Sequence, residues 1–509
     1  MRRLLAFAFL IPTIAFADKP ITITFFDTND LHAHIKPTLI RGKTYGGYAR
    51  IATIIREARA KDKNVVLLNA GDTFQGTLYF NTYEGLADGA ILSAIGVDAG
   101  TVGNHEFDRG PDVLATYAAS IGWPLTTANL DLTREPRLRG KIAKYVVIKV
   151  GGEKVGIVGA VTPDTPNISS PGPNIDFRDV VPTVQASVDE LTSSGVNKIV
   201  VVTHCGYEED QKMVTQLRDV DLVVGGHSHT ALGTPEINGW MKSQGPFPTI
   251  IKDLKGVEVP IVQAYEWGKV LGKIQIEFDG KGKVKKIKEA KAIVIDDTIP
   301  EDSRIKALVA AFERPILAIQ NAPVGEAKVS LDRERNDADS LMADIVADAM
   351  QAKTAPLGSV ASFINKGGVR AAIEAGKITY GQAVSVMPFN NTFTLLDLTG
   401  AELKAALLEG VNSNGQGGLL IPSDGTSYRV VGGDIQVTIA GQPIDPAKTY
   451  RITLLGFTAS GGDSHFILRD AKGRRVDTGL TDIDAFVDYL KAHSPLDPKP
   501  AGRVVVQKS

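Results

Sequence analysis

Three observations predict an α/β fold in two domains. Short apolar runs alternate with helically patterned segments from Ile21 to about Gly280. Residues 299–320 then carry helix-start and helix-stop signals, and the sequence changes character after them. Polar clusters close or follow the apolar runs, as they do where ligands gather beyond the carboxyl ends of strands.

The elements follow in chain order. MRRLLAFAFLIPTIAFA opens with Arg2 and Arg3, continues apolar, and closes on Ala15-Phe16-Ala17. It reads as a secretory signal, residues 1–17, cleaved after Ala17. The run from Leu4 to Phe16 is too short to span a bilayer and contains Pro12. Expected strands are ITITFF (21–26), VVLLNA (65–70), KVGIVGAV (154–161), KIVVVT (198–203) and DLVVGG (221–226). Between the first two, Ile51, Ile54, Ile55 and Ala58 fall at helical spacing. In 299–320, Pro300, Glu301 and Asp302 start a helix, Ile305, Leu308 and Phe312 share one face, and Pro315 ends or kinks it. This gives a first domain over 18–298, a linker helix over 299–320 and a second domain over 321–509. The second has its own glycine-rich loops (NKGGVR, GQGG, SGGD) and the helical run LMADIVADAM.

Composition bounds the function. Of 509 residues, 43% are hydrophobic and 22% charged, as in an ordinary globular protein. A net charge of −2 gives no global electrostatic case for a nucleic-acid polymer or an anionic membrane as partner. The single cysteine, Cys205, rules out an intrachain disulfide and a cysteine-rich zinc site. Strand alternation turns it away from His204, as a small buried residue. An exported chain without disulfides suits the bacterial periplasm or secretion from a bacterium, and a monomer is expected.

Five clusters carry the chemistry: TNDLHAH (28–34), NAGDT (69–73), GNHEFD (103–108), THCG (203–206) and GGHSHT (225–230). They hold His32, His34, His105, His204, His227 and His229, six of eight histidines, a confinement that scattered surface histidines would not show. Asp30 and His32 are two apart and in extended chain would share a side and chelate one ion. His227 and His229 repeat that spacing. Asp72 is a lone carboxylate able to bridge two cations, Asn104 offers a neutral carbonyl oxygen, and His204 another imidazole. Imidazole with carboxylate suits Zn, Mn or Co. Any one cluster alone is a weak signal; five in order at strand ends carry the reading. Glu106 and His34 fit supporting or structural parts.

In this order the clusters resemble the calcineurin-like metallophosphoesterase signature. With the second-half motifs, the mature chain resembles the secreted 5′-nucleotidase / UDP-sugar hydrolase family. The resemblance implies a two-sheet sandwich flanked by helices, in place of the simpler doubly wound sheet, and a smaller α/β substrate-specificity domain joined by a helix. It assigns Asp30, His32, Asp72 and His229 to one divalent ion, and Asp72, Asn104, His204 and His227 to the other. Relatives vary at the His229 position. His105 and Asp108 match the catalytic pair, with His105 donating to the phosphate or the leaving oxygen.

FINKGGVR (363–370), MPFNNTF (387–393) and GFTASGGDSHF (456–466) match the family's nucleotide-specificity motifs. Read alone, their phenylalanines and glycines would pass for core and turns. The resemblance assigns Phe389 and Phe457 to a base clamp, Asp463 to the ribose, and Asn365 and Arg370 to the phosphate side. Gly367 and Gly368 let backbone approach a ligand, and Asn391 offers a further polar contact. Relatives carry arginine and then Asn-x-Gly before the helix resembling LMADIVADAM. Here Asp337 and Asp339 stand in that motif, and Arg333 and Arg335 both remain candidates for the substrate arginine. The expected activity is an exported two-metal phosphohydrolase removing the 5′-phosphate of nucleotides, with UDP-sugars and nucleotide diphosphates as further substrates. The alternatives are a 2′,3′-cyclic nucleotide phosphodiesterase and, from another class, a non-catalytic nucleotide-binding or surface module.

Overall fold

The computed structural model describes residues 20–40, 42–233, 237, 243–333, 339–413 and 417–507. The expected signal, 1–17, and the candidate Arg335 lie outside them.

Two stacked sheets form the first half. One runs in the spatial order Val284–Val294, Val270–Phe278, Ile21–Thr28, Val65–Asn69, Ala99–Thr101, Leu125–Thr126 and Ile142–Ala143. It is parallel from Ile21–Thr28 onward and antiparallel on the other side. The second runs Thr249–Lys252, Glu258–Val262, Leu222–Val224, Ile199–His204, Glu153–Val161 and Tyr145–Val150, parallel at its centre and antiparallel at both edges.

Strand alternation explains the sandwich. Ile23, Phe25, Val66 and Leu68 point between the sheets and share a core with Val155, Ile157, Val200 and Val202. Their neighbours Phe26, Val65 and Leu67 face outward onto Tyr48, Ile51 and Ile55 of helix Tyr48–Lys61. On the far side, Val158, Ile199 and Val201 pack with Val184, Val188 and Leu191 of helix Val180–Ser193. Because each central strand is buried on both faces, these runs read as continuous apolar stretches rather than alternating ones. Each such side chain contributes about 1.5–3 kcal/mol of burial.

The linker segment forms helix Ser303–Glu313, capped by Asp302, whose carboxylate accepts from the amides of Arg304 and Ile305. Ile305 and Val309 enter the core beneath helix Tyr48–Lys61, with Leu308 and Phe312 packed at its margin. Pro315 follows the helix, and a short second helix, Leu317–Gln320, comes after it.

Beyond Pro323 the chain builds a second core, which Trp267 of the first half joins. A five-stranded sheet runs Leu420–Pro422, Ala361–Asn365, Thr449–Leu455, Thr392–Thr399, Arg475–Thr481. A four-stranded sheet lies beside it, and helix Leu341–Thr354 buries Met342, Ile345, Val346 and Met350 in the same core. No described helix is long and apolar enough to cross a membrane.

Candidate metal centre

Register sets the rim of the site. Thr28 pairs with Asn69 and Asn69 with Gly100 on one sheet; Val161 pairs with His204 and Val202 with Val224 on the other. The loops carrying Asp30, Asp72 and Asn104 therefore leave one sheet, and those carrying His204, His227 and His229 belong to the other. The clusters do not line one sheet edge, as a doubly wound sheet would have it. They meet across the mouth of the sandwich.

Nor are the Asp30–His32 and His227–His229 pairs extended. Strand Ile21–Thr28 ends before Asp30, and five candidate ligands have left-handed backbone: Asp30 (φ 49°), His32 (48°), Asp72 (52°), His227 (76°) and His229 (50°). Each such residue costs roughly 1–2 kcal/mol without glycine's freedom. The strain aims alternate side chains inward where a flat strand could not curl them around an ion.

Two groups of ligand atoms result, Asp30–His32–His229 and Asp72–His204–His227, each within the reach of one ion. Asp72 lies between them. Its Oδ2 is 3.0 Å from His204 Nε2 and 3.9 Å from His32 Nε2, while Asp30 Oδ1 is 3.2 Å from His229 Nε2. His227 Nδ1 lies 2.9 Å from Asn104 Oδ1.

The tautomers argue that these atoms suit a cation. His32 Nδ1 donates to the Phe74 carbonyl (2.9 Å) and His204 Nδ1 to the Ala70 carbonyl (2.6 Å). A carbonyl can only accept, so in each neutral ring the proton is on Nδ1 and the lone pair on Nε2. Yet His32 Nε2 lies 3.1 Å from His229 Nε2, and buried His204 Nε2 faces the Asp72 carboxylate at 3.0 Å. Lone pairs facing lone pairs or a carboxylate repel unless a proton or a metal ion stands between them. Burial holds His32 well below its usual pKa, and burial with neighbouring His204 holds His227 down at about 4. For His204 burial works the same way, but the carboxylates of Asp72 and Asp30 outweigh it and hold the ring up at about 10 without metal.

GNHEFD divides its labour. Glu106 accepts from the amides of Asp72 (2.9 Å), Thr73 (2.6 Å), Phe74 (3.1 Å) and Gly103 (2.5 Å), so it fastens the GD loop to the GNH loop. Gly103 is glycine for closeness: a Cβ there would lie 2.1 Å from Asp72 Oδ1. His105 donates its backbone N–H to Asp72 Oδ1 (2.9 Å) and its Nδ1–H to Asp108 Oδ2 (2.7 Å). Ser169 Oγ donates to the other Asp108 oxygen at 2.6 Å, a contact the sequence did not signal. Burial lowers the His105 pKa, but Asp108 and Asp72 prevail and hold it above its usual value. A third group, His32–Asp72–His105, is also within ligand reach.

The second half closes over this rim. Phe389 stacks on His105 (centroids 5.6 Å apart, planes 21°), and the Arg370 guanidinium lies 5.7 Å from the Phe389 centroid. Arg333 and Arg370 line a small cavity with His32, His34, His229 and Trp267; the other arginine candidate lies outside the described residues. Asn365 Nδ2 donates to Asp463 Oδ2 (2.7 Å) and accepts at Oδ1 from Thr458 (3.1 Å). A Cβ on Gly367 would lie 3.2 Å from Asp463 Oδ2, one on Gly368 2.9 Å from Asn365 Oδ1, and one on Gly462 2.5 Å from the Phe457 ring. These residues thus form one compact cluster. Asn391 is spent on Asp482, to which its backbone N and Nδ2 both donate. Asp339 accepts from the Arg503 amide at 2.6 Å, which makes it a structural anchor. His34 stacks on Trp267 (4.0 Å, 6°) and donates to the His32 carbonyl, supporting the wall.

Comparison with known proteins adds three findings. Residues 24–231 match the family described as calcineurin-like phosphoesterase, and residues 323–469 the 5′-nucleotidase C-terminal domain. The chain is 34% identical to the snake venom 5′-nucleotidase of Naja atra, over 95% of this chain and 98% of that protein. It is 32% identical to the 5′-nucleotidase of Bos taurus, over 96% and 91% respectively. Its structure superposes on that of a 5′-nucleotidase precursor from Thermus thermophilus with a TM-score of 0.91 and 39% identity, covering 96% of this chain and all of the other.

Proposed function

The chain belongs to the 5′-nucleotidase family of calcineurin-like phosphoesterases, and from that premise we propose how its own residues share out the reaction. It is a metal-dependent phosphoric monoester hydrolase acting on nucleotides. The observation that carries the assignment of residues is Asp72, a single carboxylate set between two groups of imidazoles.

In this reading Asp30, His32, Asp72 and His229 hold one divalent ion, and Asp72, Asn104, His204 and His227 the other, drawn from Zn, Mn or Co. When bound, such a pair neutralises phosphate oxygens and lowers the pKa of water. The remaining work falls to side chains. His105, fixed at Nδ1 by Asp108, presents Nε2 as a donor where negative charge develops. Arg370 and Arg333 meet the phosphate, a role that planar guanidinium geometry suits. Phe389 and Phe457 stack the base, Asp463 accepts from ribose hydroxyls, and Asn365 orients Asp463. Residues 18–298 thereby supply the chemistry and 321–509 the selection, joined through 299–320. Export to the periplasm or medium fits an enzyme whose charged substrates do not cross membranes unaided.

The test is a panel of nucleoside mono-, di- and triphosphates, cyclic nucleotides and UDP-glucose, run with Mn, Co and Zn in turn. Nucleoside 5′-monophosphates are expected to turn over fastest, with activity abolished by chelator. Faster hydrolysis of 2′,3′-cyclic nucleotides would replace this reading, and turnover insensitive to chelator would remove its metal basis.

A further inference from the structure

Behind the metal rim lies a buried acid–base chain that the sequence clusters do not include. His229 Nδ1 donates to Glu266 Oε2 at 2.5 Å, and Lys269 Nζ donates to Glu266 Oε1 at 2.7 Å. Lys269 is 0% exposed and Glu266 4%. The ammonium sits 4.1 Å from the Trp267 ring centroid and 4.5 Å from that of Tyr265. Burying a lysine this completely is costly unless its charge is met. Here Glu266 meets it, and Glu266 spends its other oxygen on a candidate ligand.

The same segment reaches a second member of that ligand group. The Trp267 backbone N–H donates to the Asp30 carbonyl at 2.7 Å. Asn29 Nδ2 donates to the Tyr265 carbonyl (2.7 Å) and to Asp30 Oδ2 (2.5 Å), and Asn29 Oδ1 accepts from the Ala264 amide (2.7 Å). Tyr265 (φ 62°) and Trp267 (φ 58°) have left-handed backbone, so the segment is held in a costly shape that places Glu266 under His229. Two of the other imidazoles are backed differently: His32 and His204 donate their outer N–H to neutral carbonyls, of Phe74 and Ala70. A carboxylate behind an imidazole raises its basicity as a ligand and fixes its ring more firmly than a carbonyl does.

We propose that Glu266, held by Lys269, is a positioning residue for His229, and that segment 264–269 makes the ion of Asp30, His32 and His229 the more firmly bound of the two. The proposal rests on the two-ion reading above and adds an asymmetry to it. Glu266 and Lys269 are both buried and act through His229.

The experiment is calorimetric titration of metal-stripped wild type, E266Q, E266D and K269M with Mn²⁺, with anomalous scattering from Mn-loaded crystals to locate the retained ion. Wild type is expected to bind two ions of unequal affinity. E266Q keeps the shape but loses the charge; it is expected to weaken the Asp30–His32–His229 ion about 10–100-fold and leave the other nearly unchanged. E266D should recover part of the loss, and it carries the test if E266Q fails to fold. K269M should also weaken that same ion. Equal weakening of both ions, or no change in E266Q, would overturn the proposal. Wild type binding fewer than two ions would instead overturn the two-ion reading beneath it.

Discussion

His105 and Asp72 are neighbours joined by a backbone hydrogen bond, yet the proposed reading gives them different tasks. His105 also lies within ligand reach of His32 and Asp72, so its assignment as donor rather than ligand needs a direct test. His105→Ala is expected to lower kcat by about 10²–10⁴ while leaving metal content, read by atomic emission, at the wild-type level. Parallel loss of metal would make His105 a ligand. His204 gives a second prediction. In the metal-free protein its carboxylate neighbours raise it to about 10, so near neutral pH it carries a proton that a metal ion must displace. Apparent metal affinity should therefore rise with pH, by up to about tenfold per unit for one proton, between pH 6 and 8. Calorimetry in two buffers of different ionisation enthalpy would read the released proton; binding with no proton release would contradict it. The sign for the metal-free fold is opposite. A raised histidine pKa stabilises fully below the unfolded value near 6.5, and that contribution is lost as pH climbs toward 10.

At the scale of elements, two carboxylates hold pieces together. Glu106 collects four backbone N–H groups from the loops that carry Asp72 and Asn104. Glu106→Ala leaves buried donors without an acceptor and should cost on the order of 3 kcal/mol or more, with metal affinity falling because both loops loosen. A denaturant melt beside a metal titration would show the two losses together; loss of metal without loss of stability would argue against the brace. Asp302 caps the linker helix and pairs with Arg56 of helix Tyr48–Lys61. Asp302→Ala should cost about 1 kcal/mol or somewhat more, visible in the melting curve. Here the sequence was legible: an acid three residues ahead of an apolar face, and a proline after it, mark both ends of the helix. The supporting part of Glu106 was legible in the sequence; its partners were not, because three of the four amides it accepts from lie some thirty residues away.

For the whole molecule, the candidate catalytic and selecting residues come from the two halves of the chain and meet at Phe389 against His105. A groove of about 280 Å³ lined by Thr38, Leu39, Trp267, Glu374, Gln382 and Ser385 runs between the two halves near the metal side. We expect substrate entry and product release to need rotation of one half against the other near 299–320. A cleavable cross-link between cysteines placed at Thr38 and Glu374 should lower turnover, and cleaving it should restore it. Full activity in the cross-linked enzyme would exclude the rotation.

Some of this was fixed by composition and order along the chain. The apolar runs predicted five of the thirteen described strands of the two stacked sheets, to within one or two residues, the five clusters supplied the side chains that gather within reach of one ion, and the capping residues marked the helix after residue 299. These features are local: a strand's burial and a helix's ends are written in residues a few positions apart. Tertiary structure decided what local pattern cannot hold. It drew the clusters from two sheets rather than one, turned the Asp-x-His and His-x-His pairs inward through left-handed backbone, and placed Arg333 in one cavity with His32 and His229. It also set Glu266 and Lys269 behind His229. A lone Glu in AYEWGK looks like any surface acid until packing removes its water. The chemistry of the ligands lies in the sequence, but their geometry, and the charges that tune them, arise from contacts between residues far apart in the chain.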